Sequence, residues 1–421
     1  MKNKCIAAVM CVAAGAASAG GLDRSGQSIS AIFADDNTAA ISLGFVSPSV
    51  SGTDIGGTGS YSIGNDYRQY GFSYTNKVTD TFSYALIVDQ PYGTDVTYQG
   101  NRRTDNLAGT SADLSSRAAT VVLRYRFSDR FSMHGGVSYE SVKADVTLNG
   151  AAYRNEIAVP ALTEGVNSAL PTGVPALPES TLQNALNGNA VAQATVNAYT
   201  PPGDPQLFNT LQAAADLGYS FNMKEDAAFN YLVGLAYEIP DIALRVSATY
   251  RFETDHSAST VENIVGNTFS GRVKYKTPQS LNINAQTGIA QNTLLTASYR
   301  WTDFSAVNVV PEVLGSDLVN IDDSHRYTVG IAHRFNDALA GSITFIYEPE
   351  NNDPTVSPLG PTDGLFGITV GGQYTNDNLK LSGGINYSWL GDANAGVDGT
   401  PVARFTDNSA IGVGLKAEFS F

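Results

Sequence analysis

Most of this chain follows a two-residue alternation of apolar and polar side chains. Residues 119–127 read ATVVLRYRF, and residues 242–252 and 324–335 repeat the pattern as IALRVSATYRF and SHRYTVGIAHRF. Successive side chains of a β-strand point to opposite faces, so each stretch predicts a strand with one apolar and one polar face. The chain also ends this way, because residues 410–421, AIGVGLKAEFSF, alternate up to a terminal phenylalanine.

The connections between the predicted strands alternate strictly between short and long. The short ones hold two or three residues, such as Thr79-Asp80 and Pro240-Asp241. The long ones are residues 51–65, 92–116, 149–225, 255–268, 307–322, 350–363 and 391–401. The predicted strands lie near residues 39–50, 66–78, 81–91, 117–128, 131–148, 226–239, 242–254, 269–290, 293–306, 323–336, 339–349, 364–376, 379–390 and 402–421.

This asymmetry is typical of an outer-membrane barrel, which has short periplasmic turns and longer extracellular loops. The strands number about 14, an even count as in bacterial single-chain barrels. Trp301 and Trp389 both fall at the outer ends of their strands, where indole rings favour the membrane interface. A soluble β-sandwich does not explain the alternating connections. We therefore predict an all-β fold, a transmembrane up-and-down antiparallel β-barrel with residues 39–421 as the barrel domain.

The N-terminus and the overall charge indicate an exported protein. Lys2 and Lys4 precede an apolar run and the small-residue stretch Ala17-Ser18-Ala19, so residues 1–19 are predicted to be a secretory signal peptide. Both cysteines lie within that segment. The net charge of −15 argues against nucleic acid as a partner, because binding of phosphates needs a basic face.

The polar faces of the predicted strands would line the lumen of the barrel. They carry many arginines, which leaves two interpretations: a lumen that attracts anions, or arginines paired with acids across the barrel. Two segments lie outside the strands. Residues 20–38 precede the first strand, and the loop 149–225 contains apolar residues at helical spacing between proline-rich pieces. A long loop of this kind is usually functional or disordered.

Four phrases of the sequence resemble the FadL family of outer-membrane transporters for long-chain fatty acids and other hydrophobic molecules. They are ADDNTAA at 34–40, QPYG at 90–93, YRWTDFSAV at 299–307 and DDSHRYTVGIAHRFND at 322–337. The resemblance implies an N-terminal hatch that plugs the lumen, residues 20–38 here, with Leu22, Phe33, Asp35 and Asp36. It also implies a lateral exit where the third strand kinks, at Pro91, Tyr92 and Gly93. The Asn-Pro-Ala phrase that family members often carry after Ala-Asp-Asp is missing here.

The resulting functional expectation is passive, hatch-gated uptake of hydrophobic compounds, either long-chain fatty acids or aromatic hydrocarbons. An apolar capture surface on the long loop is expected at Leu182, Leu186, Phe208 and Leu211. The lumen residues expected to bind a carboxylate, chosen by strand register, are Arg245, Arg326 and Arg404. No cofactor, metal site or catalytic residue is expected.

Two other functions remain open. A general or anion-preferring porin would also be a barrel with a charged lumen, although without a hatch. A barrel hydrolase would need a site such as Asp322, Asp323 and His325 at the outer rim. As partners we expect outer-membrane lipid and lipopolysaccharide, and the barrel-assembly machinery through Phe421. The chain is expected to be a monomer.

Overall fold

The computed structural model describes residues 22–34, 37–199, 206–351 and 353–421, so the predicted signal peptide lies outside the described residues. A 3₁₀ turn at Ser30–Phe33 precedes the first strand. The strands are β1 (Thr38–Ser49), β2 (Ser51–Asp54), β3 (Ser60–Ser62), β4 (Tyr67–Lys77), β5 (Phe82–Asp89), β6 (Gly93–Thr97), β7 (Ser111–Arg126), β8 (Phe131–Leu148), β9 (Tyr219–Ile239), β10 (Leu244–Arg251), β11 (Thr254–Ile264), β12 (Asn267–Thr277), β13 (Ser280–Ala290), β14 (Thr293–Thr302), β15 (Ser324–Arg334), β16 (Leu339–Glu348), β17 (Leu365–Asn376), β18 (Leu379–Leu390), β19 (Ala393–Val397), β20 (Thr400–Phe405) and β21 (Asn408–Ser420).

Seventeen of these segments form one antiparallel sheet. Three wall strands are each interrupted once, because β5 continues into β6, β10 into β11 and β12 into β13, and the wall therefore has fourteen strands. β1 pairs with β21 from Thr38↔Ser420 to Ser49↔Ser409, and its other edge pairs with β4. This pairing closes the sheet into a barrel and removes the two edges of an open sheet. The predicted fold class is confirmed.

The alternation of the sequence separates the two faces of the wall. In β21, Ile411, Val413 and Leu415 point outward and are 49%, 41% and 61% exposed. Lys416 and Glu418 point inward and form an ion pair of 2.9 Å. The apolar exterior and the ion-paired interior are the arrangement expected of a barrel that crosses a bilayer.

Aromatic side chains mark both ends of the wall. At the end with long loops, Trp389 stacks on Phe366 at 5.8 Å, and the indole N–H of Trp301 donates a 3.0 Å hydrogen bond to Asp323. At the end with short turns, Phe127 and Phe131 stack at 6.1 Å. Tryptophan and tyrosine favour the interface because one end of each ring system is apolar and the other needs a polar partner.

The prediction of a loop at residues 255–268 is wrong, because β11 and β12 run through this range and meet in a two-residue turn. Val265 and Gly266 both have positive φ, 44° and 92°, as a type I′ hairpin turn requires. The strand was hidden in the sequence because its inward positions include Thr254, His256 and Glu262, which are buried but polar. The last wall strand is also shorter than predicted and begins at Asn408.

A small helical subdomain occupies residues 149–199 and 206–218 at the end with long loops. Its helices are α1 (Ala151–Tyr153), which continues through a π-helical segment at Arg154–Ala158 into α2 (Val159–Ser168), α3 (Glu179–Leu186), α4 (Ala190–Asn197) and α5 (Leu207–Ala215). The helices predicted within the long loop are thus present. Both this loop and the predicted loop 92–116 are shorter than expected, because β9 begins at Tyr219 and β7 begins at Ser111. None of the helices in the described part of the chain is long and apolar enough to cross a membrane.

Candidate functional site

An apolar pocket lies inside the barrel near the end with long loops. Its empty volume is about 940 Å³, including space open to solvent. Its walls come from β7, β8, β9 and β12, with side chains such as Leu114, Val142 and Phe221. The N-terminal segment contributes Leu22, and the kink of the third wall strand contributes Tyr92. The pocket therefore joins the wall, the hatch and the covering loops.

The loop between β14 and β15, residues 303–323, folds inward and covers one side of this pocket. The N–H of Val309 donates to the carboxylate of Asp317 at 2.8 Å. Glu262 of β11 accepts the N–H of Leu314 at 3.1 Å. Because these bonds satisfy backbone donors, the loop can carry Phe304 into the interior.

The hatch enters the lumen and pairs with the third wall strand where β5 ends and β6 begins. The N–H of Arg24 donates to the carbonyl of Pro91 at 2.8 Å, and the N–H of Gly93 donates to the carbonyl of Leu22 at 2.9 Å. The backbone that leaves the wall at residues 91–93 thus finds its partners in the hatch. The resemblance assigned the kink to Pro91, Tyr92 and Gly93, and in the structure the third wall strand is interrupted between Asp89 and Gly93.

The local sequence explains the kink. Pro91 has no N–H to give to a ladder, which weakens pairing at this point. A Cβ at Gly93 would lie 3.1 Å from both the carbonyl of Leu114 and Nε of Arg24, so a side chain here would press on both neighbours. Tyr92 turns its N–H to the hydroxyl of Ser116 at 2.7 Å, and its ring lines the pocket.

A buried ion pair fastens the hatch to the opposite wall. Arg300 of β14 donates to the two carboxylate oxygens of Asp23 at 2.6 and 3.3 Å. The two side chains are 8% and 1% exposed. Arg300 also donates to Asn282 at 3.0 Å and to Gln27 at 3.3 Å, so the guanidinium has several acceptors. Sequence reasoning missed this pair, although Arg300 lies inside the phrase YRWTDF and alternates with the outward Trp301.

The periplasmic side of the hatch is anchored by Phe33. The guanidinium groups of Arg124 and Arg245 each lie 4.7 Å from the centre of its ring. His134 meets the same ring edge-on at 5.8 Å. Cations favour the face of an aromatic ring, so the two arginines hold this ring in place. Ile32 packs beside it in a buried apolar cluster.

The three arginines predicted to bind a carboxylate have different positions. Arg245 lies in the lumen, contacts Phe33 and donates to Gln286 at 2.8 Å. Arg326 also lies in the lumen and forms a buried ion pair with Glu348. The prediction that Arg404 lines the lumen is wrong. This residue is exposed on β20, in the separate four-stranded sheet formed by β19, β20, β2 and β3. The last wall strand begins later than predicted, so its register did not apply to this residue.

The prediction of an exposed capture surface on the long loop is wrong. Leu182, Leu186, Phe208 and Leu211 are all buried, and they pack on one another as the core of the helical subdomain. Helical spacing of apolar residues describes the inner face of any small helical unit, so it could not distinguish a core from a binding surface. The apolar pocket uses the wall and the loop 303–323 instead.

Of the residues predicted for the hatch, Leu22 lines the apolar pocket and Phe33 is buried, whereas Asp35 and Asp36 lie outside the described residues. Within the described part of the chain, no group of three or more His, Cys, Asp and Glu side chains could hold a metal ion.

The residues of the hydrolase alternative border one polar cleft at the outer rim, but each of them is engaged in other contacts. A hydrogen bond with Asp353 and, to a smaller extent, burial raise the pKa of Asp322 to about 6. Although burial acts in the opposite direction, hydrogen bonds from Trp301 and Ser305 lower the pKa of Asp323. His325 instead shares a 2.9 Å hydrogen bond with the hydroxyl of Tyr299 on the outer face.

Comparisons with known proteins agree with this geometry. Among curated proteins, none matches the chain significantly. The structure is similar to that of a Pseudomonas aeruginosa FadL homologue (TM-score 0.64, 12% identity, covering 93% of this chain and 91% of that one). It is also similar to the Pseudomonas putida toluene transporter TodX (0.60, 13%, 96% and 98%) and the Ralstonia pickettii toluene transporter TbuX (0.57, 15%, 92% and 90%).

At these identities the structural similarities establish the fold alone. The sequence supplies the assignment, because the model of one protein family matches residues 69–421. Members of that family are outer-membrane barrels of Gram-negative bacteria and act in transport. The chain therefore belongs to the family of outer membrane protein transport proteins (OMPP1/FadL/TodX).

Proposed function

We propose that this protein takes up uncharged hydrophobic compounds by passive transport, with the apolar pocket as the binding site. The pocket lining carries the proposal. Its only cationic side chain among the described residues is Lys276, which is already paired with Glu253 at 2.5 Å. A carboxylate moved from water into this pocket would lose its hydration without a partner, which is costly.

This argument favours aromatic hydrocarbons over long-chain fatty acids. The two structural relatives described as toluene transporters support the same choice. Arg245 and Arg326 contact Phe33 and Glu348, so we assign them to positioning the hatch and the lumen wall rather than to binding a carboxylate.

We propose that cargo leaves sideways, at the kink of residues 91–93, and not along the barrel axis. The hatch supports this route, because the segments 22–24 and 30–33 cross the lumen and are bonded to the wall on several sides. Passage into the outer leaflet keeps an apolar molecule out of water. A general porin would need the lumen that the hatch fills, and liposomes carrying this protein should therefore not swell in sugars.

The test of the pocket compares Phe304→Ala with a matched control, Val191→Ala. Phe304 is 1% exposed and lines the pocket, whereas Val191 is 77% exposed on α4. Loss of the contact between a phenyl ring and the cargo removes about 1.5–3 kcal/mol of burial, so the affinity for toluene should fall at least about tenfold. The control should bind as the parent does. Equal toluene binding by both variants, or tighter binding of a fatty acid than of toluene, would contradict the proposal.

Three further roles belong to the same proposal. Phe421 lies at the short-turn rim, where its N–H donates to the carbonyl of Asn37 at 3.0 Å and its ring stacks on Tyr74 at 6.0 Å. This exposed terminal ring is a suitable signal for the barrel-assembly machinery. The apolar exterior is suited to contact with lipid and lipopolysaccharide. One chain supplies the closed wall, the pocket and the hatch, so a monomer is sufficient for this function.

A further inference from the structure

The barrel wall contains a window between β4 and the third wall strand. The last pair between β4 and β5 is Phe72↔Val88, and farther up, an isolated bridge joins Gly64 to Val96. Between these two points the pairing of β4 with the third wall strand is interrupted, and the backbone N–H of Tyr70 donates to the side-chain oxygen of Gln90 at 3.0 Å. The kink has drawn residues 91–93 inward to the hatch, and the window is the space that this displacement leaves in the wall.

Two side chains close the window from within. The guanidinium of Arg24 lies over the ring of Tyr67, 3.4 Å from its centre. Nε of Arg24 also donates to the carbonyl of Gly93 at 2.8 Å. Arg24 belongs to the hatch, Tyr67 to one edge of the window and Gly93 to the other. The arginine thus bridges the window from edge to edge.

Two carboxylates offer the guanidinium an alternative to the ring. Asp95 and Asp113 both attract the charge of Arg24, and Asp95 also accepts a hydrogen bond from the side chain of Asn65 at 2.7 Å. They are direct cross-strand partners on β6 and β7. The guanidinium can therefore exchange the ring of Tyr67 for carboxylates, while its backbone stays bonded to Pro91. Such an exchange would uncover the window without moving the rest of the hatch.

We propose that Arg24 and Tyr67 form a latch that closes this window, and that the release of Arg24 from Tyr67 is the step that lets cargo pass into the bilayer. The proposal rests on lateral release as the proposed function. It makes Arg24 a positioning residue that acts on the route rather than on the binding of cargo.

The test measures opening of the window directly, with a single cysteine at Thr94. This residue lines the pocket beside the window, and the chain has no cysteine after Cys11. The probe is a maleimide with a long alkyl chain, dissolved in the bilayer of reconstituted vesicles. Arg24→Met, added to Thr94→Cys, removes the cation but keeps the length of the side chain. The maleimide should label this double variant about fivefold faster than Thr94→Cys alone, which corresponds to about 1 kcal/mol for the loss of one cation–π contact.

Two variants keep the result interpretable. Tyr67→Leu removes the ring without changing the hatch and should accelerate labelling to a similar degree, so misfolding of one variant does not decide the outcome. Arg103→Met removes an exposed arginine paired with Asp216 and should leave the rate unchanged. Unchanged labelling in both Arg24→Met and Tyr67→Leu would overturn the latch, even if toluene uptake persists.

Uptake measured in the same variants separates the latch from the function on which it rests. Faster labelling together with faster uptake of toluene supports both. Faster labelling with unchanged uptake keeps the latch as the closure of the window but removes lateral release as the route. Failure of the latch, seen as unchanged labelling, is therefore distinguishable from failure of lateral release, seen as faster labelling with unchanged uptake.

Discussion

Replacing Asp23 by asparagine is expected to loosen the hatch from the barrel wall. The substitution leaves the shape of the side chain nearly unchanged but removes its charge, and the guanidinium of Arg300 stays buried. Breaking a buried ion pair by removing one partner costs about 3–5 kcal/mol. Arg300 keeps its hydrogen bonds to Asn282 and Gln27, at 3.0 and 3.3 Å, and the introduced amide would still offer an acceptor oxygen. We therefore expect the lower end, about 3 kcal/mol.

Hydrogen exchange of the hatch amides measures this loss, because local opening exposes them in proportion to its free energy. The informative bonds join Arg24 to Pro91 at 2.8 Å and Ala34 to Ala31 at 3.1 Å. A loss of about 3 kcal/mol lowers their protection by more than about a hundredfold. Amides of the wall, such as those of β17 and β18, should keep their protection.

A matched control is Asp216→Asn, which breaks the exposed pair with Arg103. Exposed pairs contribute only about 0–1 kcal/mol, so this variant should change local exchange by less than about tenfold. If Asp23→Asn also changes hatch protection by less than about tenfold, the ion pair does not hold the hatch. The reasoning about the hatch would then be refuted.

Two more predictions follow from the covering loops and the helical subdomain. The hydrogen bond with Asp353 raises the pKa of Asp322 to about 6, so this contact should stabilise the loop fully below about pH 4 and be lost as the pH rises through 6. Limited proteolysis of residues 303–323 from about pH 4 to 7 should show faster cleavage at higher pH. Asp353→Ala should weaken this dependence, because burial and the charges of Asp363 and Asp323 also raise the pKa. Leu182→Ala removes a fully buried side chain and should destabilise the helical subdomain by about 2–5 kcal/mol, seen as faster cleavage within residues 149–218 while toluene binding stays unchanged.

The wall could be predicted from sequence because its information is local. Ile411, Val413 and Leu415 alternate with inward residues, and a one-residue shift of register would turn every side chain to the wrong face. The alternation of apolar and polar residues failed to predict a strand where the inward face is polar and the outward face does not contact lipid. The buried positions of β11 include Thr254, His256 and Glu262, so this strand has no apolar stripe on one face.

The site was harder to predict because its contacts join distant parts of the chain. Asp23 and Arg300 look like ordinary charged residues in the sequence, and their pairing exists only once the barrel encloses the hatch. The kink at Pro91 and Gly93 was accessible, since proline and glycine affect the local backbone. The helical leucines, such as Leu182, had the right spacing, but spacing does not tell which partner covers a face.

The pairing of β1 with β21 imposes an order on assembly. These strands lie far apart along the chain, so the ring can close only after β21 has been synthesised. Bringing such distant segments together is entropically costly and slow. The hatch precedes β1 directly, and the last residue, Phe421, bonds to Asn37 at the junction between them. The final closing event therefore takes place at the junction between the hatch and β1, where the plug is joined to the wall.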